Sequence, residues 1–95
     1  MTLAAFRTSL ADAAPPEGLS AALIALWWDG RGNWDRAHTA AQDDLSTAAA
    51  WVHAYLHRKE GDAGNAGYWY RRAGRPMARA PLDQEWEAIV AALLG

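Results

Sequence analysis

The stretch 51–76, WVHAYLHRKEGDAGNAGYWYRRAGRP, decides the fold. Its first ten residues carry large apolar side chains at helical spacing, a glycine follows a run of bases, and Asp62 then opens a second segment ending at Gly74-Arg75-Pro76. Glycine takes the left-handed turn that ends a helix, aspartate caps the next one, and proline prevents continuation. The stretch therefore predicts a helix, a tight turn and a second helix. Within the first helix, Ala48, Trp51, Val52, Tyr55, Leu56 and Lys59 form an apolar stripe. His53, His57 and Glu60 stack on another face at i, i+4, i+7.

Working outward, capping and periodicity predict four further helices, so the fold class is all-α with about six helices. The first covers about 2–12, capped by Thr2, with Leu3, Phe6 and Leu10 on one face. The second is expected from Pro16-Glu17 to about Asp29, apolar over so much of its girth that it should pack on two sides. Asn33 caps a third over 34–44, and Ser46 caps the fourth, which runs to about Glu60. The fifth covers 63–74, where Gly64 and Gly67 suggest close approach of another helix. The sixth, about 82–94, carries Leu82, Trp86, Ile89, Val90, Leu93 and Leu94 and reads as a cap over the core. Threonine, valine and isoleucine are scarce, which argues against strands.

At 95 residues the chain is expected to be a single domain, 1–95. Twenty-three alanines supply little core volume, and six tryptophans compensate. Cysteine is absent, which excludes thiolate chemistry and cysteine-held zinc. The apolar run 19–28 is too short to cross a bilayer, and a cytoplasmic protein is the expectation. Net charge is −2, so nucleic acid is not an expected partner. Charge is uneven, however: residues 58–79 hold six bases against Glu60 and Asp62, a surplus that suits an acidic partner.

Two junctions look alike. Gly32-Asn33-Trp34-Asp35-Arg36-Ala37 and Gly61-Asp62-Ala63-Gly64-Asn65-Ala66 each follow an apolar helix, with their leading glycines 29 residues apart. A recurring helical hairpin is the pattern of an α-solenoid. The segments GNWDRAHTAAQ and GDAGNAGYWYRRAGRP resemble tetratricopeptide repeats and, still more, Sel1-like repeats over about residues 20–76. Ala25 and Ala54 fall at the small first-helix position, Trp28 and His57 at the aromatic one, and Ala37, Ala66, Tyr70 and Ala73 at second-helix positions. The period is shorter than the family's, Trp51 has no counterpart in the first unit, and Ala41 stands where an aromatic is usual. HAYLHRKEGDAGNAGYWYRRAG is also similar to a group of small uncharacterised bacterial proteins. The resemblance implies two stacked hairpins, units of about 18–44 and 46–75, with capping helices at about 2–12 and 82–94. It further implies protein or peptide binding on a concave surface lined by first-helix side chains.

The residues assigned to binding are Trp28, His53, His57, Tyr68, Arg71, Arg72 and Arg75. Arginine holds carboxylates bidentately, so the last three suit an acidic peptide. The competing reading is a solvated basic face paired to Glu60, Asp62 or the C-terminal acids. His53 and His57 could begin a metal site, but a third ligand must come from His38, Asp29, Asp35 or Glu60. The competing reading there is a pair of hydrogen-bonded packing histidines. Tyr70 is expected in the core, and Trp69 more in the core than on a platform. Asp43, Asp44, Asp83, Glu85 and Glu87 read as helix-end and surface charges. No catalytic residue, resident metal or cofactor is assigned, because no Ser/His/Asp set, HExxH pattern or phosphate loop is present. Two alternatives accompany the interaction module: a small-molecule or metal binder using the histidine face, and a homo-oligomeric unit such as a homodimer.

Overall fold

A computed structural model describes all residues, Met1–Gly95, and contains six helices and no strand. They are α1 (Leu3–Ser9), α2 (Ala21–Gly30), α3 (Trp34–Gln42), α4 (Thr47–Lys59), α5 (Ala63–Ala73) and α6 (Leu82–Leu94). None is long and apolar enough to cross a membrane.

Side chains close five of the six N-termini. Thr2, Ser20, Asn33, Ser46 and Asp62 each accept a hydrogen bond from the backbone N–H three residues on. That satisfies one of the orphan donors each helix start leaves. One start differs from expectation. The prolines at 15 and 16 do not open α2; Gly18, at φ +82°, turns the chain, and Ser20 caps the helix. A capping hydroxyl that can reach a backbone N–H outweighs proline's preference for the first turn.

The two look-alike junctions share one backbone solution. Gly32 and Gly61 have φ of +80° and +89°. The N–H groups of Asn33 and Asp62 reach back five residues, to the carbonyls of Trp28 and His57, both at 2.9 Å. These are Schellman closures in which the residue after the glycine also caps the next helix. Gly74 closes α5 in the same manner, with the Arg75 N–H on the Tyr70 carbonyl at 3.0 Å.

Helix α4 is the axis of the molecule, packing against α2, α3, α5 and α6. Every residue from Ala49 to His57 is buried, so the helix has no free side along those turns. The neighbours of α3 are α2 and α4, whereas α6 rests on α1, α2 and α4. Trp86, Ile89 and Val90 of α6 are buried, and the Trp86 indole donates to the Leu26 carbonyl at 3.0 Å. The C-terminal helix therefore covers part of the first-helix surface that the repeat resemblance reserved for a ligand.

Alanines bring the helices close: Ala22, Ala25, Ala37, Ala41, Ala49, Ala54 and Ala66 are essentially fully buried. Gly64 and Gly67 do not serve that purpose. A Cβ at Gly64 would meet only the Asp62 carboxylate at 3.9 Å, and at Gly67 only the Arg71 guanidinium at 3.5 Å. The close approach lies at Gly30, where a Cβ would come within 3.0 Å of Leu10 and 3.1 Å of Trp86.

Candidate functional site

Two regions of this frame carry chemistry, and both are built on α4 and α5. The first is a cluster of imidazoles. His53 and His57 lie one turn apart on α4, so their rings stack with centroids 4.8 Å apart. His38, from α3, stands edge-on to both, at 4.6 and 5.1 Å. Two tryptophans fix the ring planes. Trp34, one turn before His38, stacks on it at 4.8 Å, and Trp69 of α5 stacks on His53 at 3.9 Å. Trp34 is itself anchored, its indole N–H donating to the Leu56 carbonyl at 2.9 Å.

The polar atoms of the cluster are only partly satisfied. His53 Nε2 and His38 Nε2 share a hydrogen bond of 2.9 Å, and His57 Nδ1 donates to Glu60 Oε1 at 2.5 Å. His53 Nδ1 is buried and has no partner. Burial, then the neighbouring His38 and His57, lowers the His53 pKa to about 4. Burial also lowers that of His38, assisted by His57 and opposed by Glu60 and Asp35. Both rings are therefore neutral at pH 7, with lone pairs available. Of the third ligands weighed from sequence, the structure delivers His38. Asp29 instead lies buried, accepting from the Tyr55 hydroxyl and the Lys59 ammonium, each at 2.9 Å.

The second region is the outer face of α5 and the turn that follows it. Tyr68 is 45% exposed, and Arg72 donates to its hydroxyl at 3.3 Å while its guanidinium lies over Trp69. The guanidinium carbon of Arg75 lies over Trp51, 3.6 Å from the ring centroid. Arg71 and Arg79 are not tied to any acid. The four ion pairs of the molecule are Arg7–Glu87, His57–Glu60, Arg58–Glu85 and Lys59–Asp29. Of the six bases in 58–79, Arg58 and Lys59 are thus internally paired, and Arg71, Arg72, Arg75 and Arg79 form no ion pair. Stacking on Trp51 and Trp69 orients two of these guanidiniums without using their edge N–H donors.

The residues grouped from sequence as one groove separate into three places. Trp28 packs edge-on to Trp27 under the guanidinium of Arg36, between α2 and α3. His53 and His57 join His38 in the imidazole cluster. Tyr68, Arg71 and Arg72 lie on α5, with Arg75 in the segment that follows, over Trp51 of α4. Trp69 is half-buried and belongs to both regions, with His53 on one side and Arg72 nearby. Tyr70 is core.

Sequence reading missed two buried polar centres, Asp29 with Tyr55 and Lys59 being one and Glu85 the other. Glu85, taken as a surface charge, is buried, accepting from Arg58 at 2.7 Å and from the Tyr70 hydroxyl at 2.5 Å. Burial, together with this carboxylate, raises the Tyr70 pKa. A cue existed: an acid at i, between Leu82, Trp86 and Ile89, lies on the apolar side of its own helix. No family model, no curated protein and no solved structure matches the chain.

Proposed function

We propose that the protein is an interaction module that holds an acidic peptide segment against the outer face of α5. The observation that carries this reading is the unpaired state of Arg71, Arg72, Arg75 and Arg79 beside internally paired Arg58 and Lys59. A face of solvated charge serving only internal stability would spend these bases on Glu60, Asp62 or the acids of α6. Glu60 holds His57 and Glu85 holds Arg58 instead. The exposed Tyr68 and Met77 border the arginines and offer apolar contact between the charges. Guanidiniums bind carboxylates bidentately, and arginine and tyrosine are the residues that anchor interfaces.

The surface differs from the concave one implied by repeat proteins, because α6 lies over α2 and α4. The test is fluorescence anisotropy with a labelled peptide of alternating glutamate and leucine, against the matching lysine–leucine peptide. The glutamate peptide is expected to bind, more weakly as salt rises, and Arg71→Glu/Arg72→Glu to cost roughly tenfold or more in affinity. Equal binding of both peptides, or indifference to the charge reversal in a folded variant, sinks the reading.

A further inference from the structure

We propose that His38, His53 and His57 form a binding site for one divalent transition-metal ion of the zinc, copper or nickel class. The site shares Trp69 with the α5 arginine face but uses none of its arginines. One ring nitrogen from each residue can be chosen so that all three lie within 4.8 Å of one another. Three imidazoles with no thiolate and a carboxylate behind them select borderline cations over magnesium or calcium, which prefer oxygen.

The geometry is that of a site needing small ring rotations. Bonds of about 2.0–2.1 Å to a tetrahedral ion place ligand nitrogens about 3.3 Å apart. The His38–His53 pair, at 2.9 Å, must open slightly, and the widest pair must close. Rotation of imidazoles about their side-chain bonds supplies both movements. His38 is half-exposed, giving the ion its way in, whereas His53 and His57 are buried on the rigid middle of α4.

Two features argue against histidines that merely pack. Glu60 holds Nδ1 of His57, the carboxylate–histidine arrangement that fixes a ligand's tautomer and leaves Nε2 for the metal. Trp34 and Trp69 stack on the rings of His38 and His53 and hold them against the cluster, which leaves only small rotations for an ion to impose. None of the three pockets of the molecule is lined by a histidine of the cluster. The ion would tie α3 to α4.

The structure offers one competing set, His57 with Glu60 and Asp62, at the end of α4. Variants separate the two. Metal-free protein is titrated with Zn²⁺ and, for its absorption bands, Co²⁺, while native mass spectrometry counts bound ions and tryptophan emission is followed. The expected result is one ion per chain, a tetrahedral Co²⁺ spectrum and a change in emission from the stacked Trp34 and Trp69. His38→Gln, at a half-exposed position that leaves the core intact, is expected to weaken binding about 100-fold, and Glu60→Gln about 10-fold. Asp62→Asn is expected to leave affinity unchanged. No bound ion at roughly 100 µM metal, a regime where even weak sites fill, overturns the proposal. Binding that survives His38→Gln but is lost in Asp62→Asn also overturns it, by moving the ion to the helix end. Circular dichroism of each variant confirms that the comparison is between folded proteins.

Discussion

Replacing Glu85 with alanine should be among the most damaging single changes to this fold. Glu85 is 5% exposed and sits in the first turn of α6, with Arg58 of α4 on one carboxylate oxygen and Tyr70 of α5 on the other. It therefore ties three helices together. Its removal leaves a phenol and a guanidinium buried without their acceptor. Breaking a buried pair by deleting one partner costs about 3–5 kcal/mol. The Arg58 side chain is 20% exposed and also donates to the Ala80 carbonyl, so it regains some hydration. That places the expected loss near the lower end, about 3 kcal/mol. In a chain of this size such a loss lowers the melting temperature by roughly 12–20 °C. The internal comparison is Glu87, two residues on, whose pair with Arg7 is exposed at 48% and 46%. An exposed pair contributes about 0–1 kcal/mol, so Glu87→Ala should scarcely register. Urea unfolding followed by circular dichroism measures both. Equal losses for Glu85→Ala and Glu87→Ala would refute the claim that burial makes the difference.

Backbone and titration effects give further expectations. Gly64→Ala fills open space in a helix and should add up to about 1 kcal/mol to stability, whereas Gly74→Ala, at φ +69°, should remove about 1 kcal/mol; both are read from urea midpoints. Gly30→Ala drives a methyl group onto Leu10 and Trp86 and should cost about 1–3 kcal/mol, an effect that Leu10→Ala in the same chain should relieve. In metal-free protein, His53 has a folded pKa of about 4 against 6.5 in the unfolded chain, so the unfolded state takes up the proton first. Its contribution is full above pH 6.5 and is lost as pH falls towards 4, by about 2 kcal/mol after allowance for solvent screening. Surrounding it are His38 from α3, His57 from α4 and the uncharged Trp69 from α5, while Glu60 and Asp35 act on His38. Stability measured between pH 7.5 and 4.5 should slope in the native chain and flatten in His53→Gln; an unchanged slope places the titration elsewhere.

Local chemistry was legible in the sequence wherever a residue acts on its own turn. Thr2, Asn33, Ser46 and Asp62 are caps because each hydroxyl, amide or carboxylate reaches an N–H three residues away, and that needs no knowledge of the fold. The stacking of His53 on His57 follows from helical spacing in the same way. What the sequence concealed depends on long-range pairing. Asp29 meets Lys59 across 30 residues, Glu85 meets Arg58 across 27, and His38 meets His53 across 15. Lys59 was read as part of an apolar stripe, and its stem and its buried acid partner show why the position is only half polar. Gly64 and Gly67 misled because glycine marks both close packing and mere permissiveness, and only neighbouring atoms tell the two apart.

The placement of α6 governs how the remaining surface can be used. With Trp86, Ile89 and Val90 buried and α6 packed on α2 and α4, much of the first helices of the two hairpins is covered. The outer side of α5 presents arginines that form no ion pair. Beneath them, Trp69 has His53 on one face, at 3.9 Å, and the Arg72 guanidinium 5.5 Å from its ring centroid. A ligand drawing Arg72 towards a carboxylate and an ion turning the His53 ring both act on this one indole. Trp69→Phe keeps a stacking ring but removes the indole that both sites touch. The metal response that persists in that variant then comes from Trp34 stacked on His38, which lies outside the arginine face. Emission changes can thus be assigned to the imidazole cluster or to the α5 surface, and occupancy of one is readable without occupancy of the other.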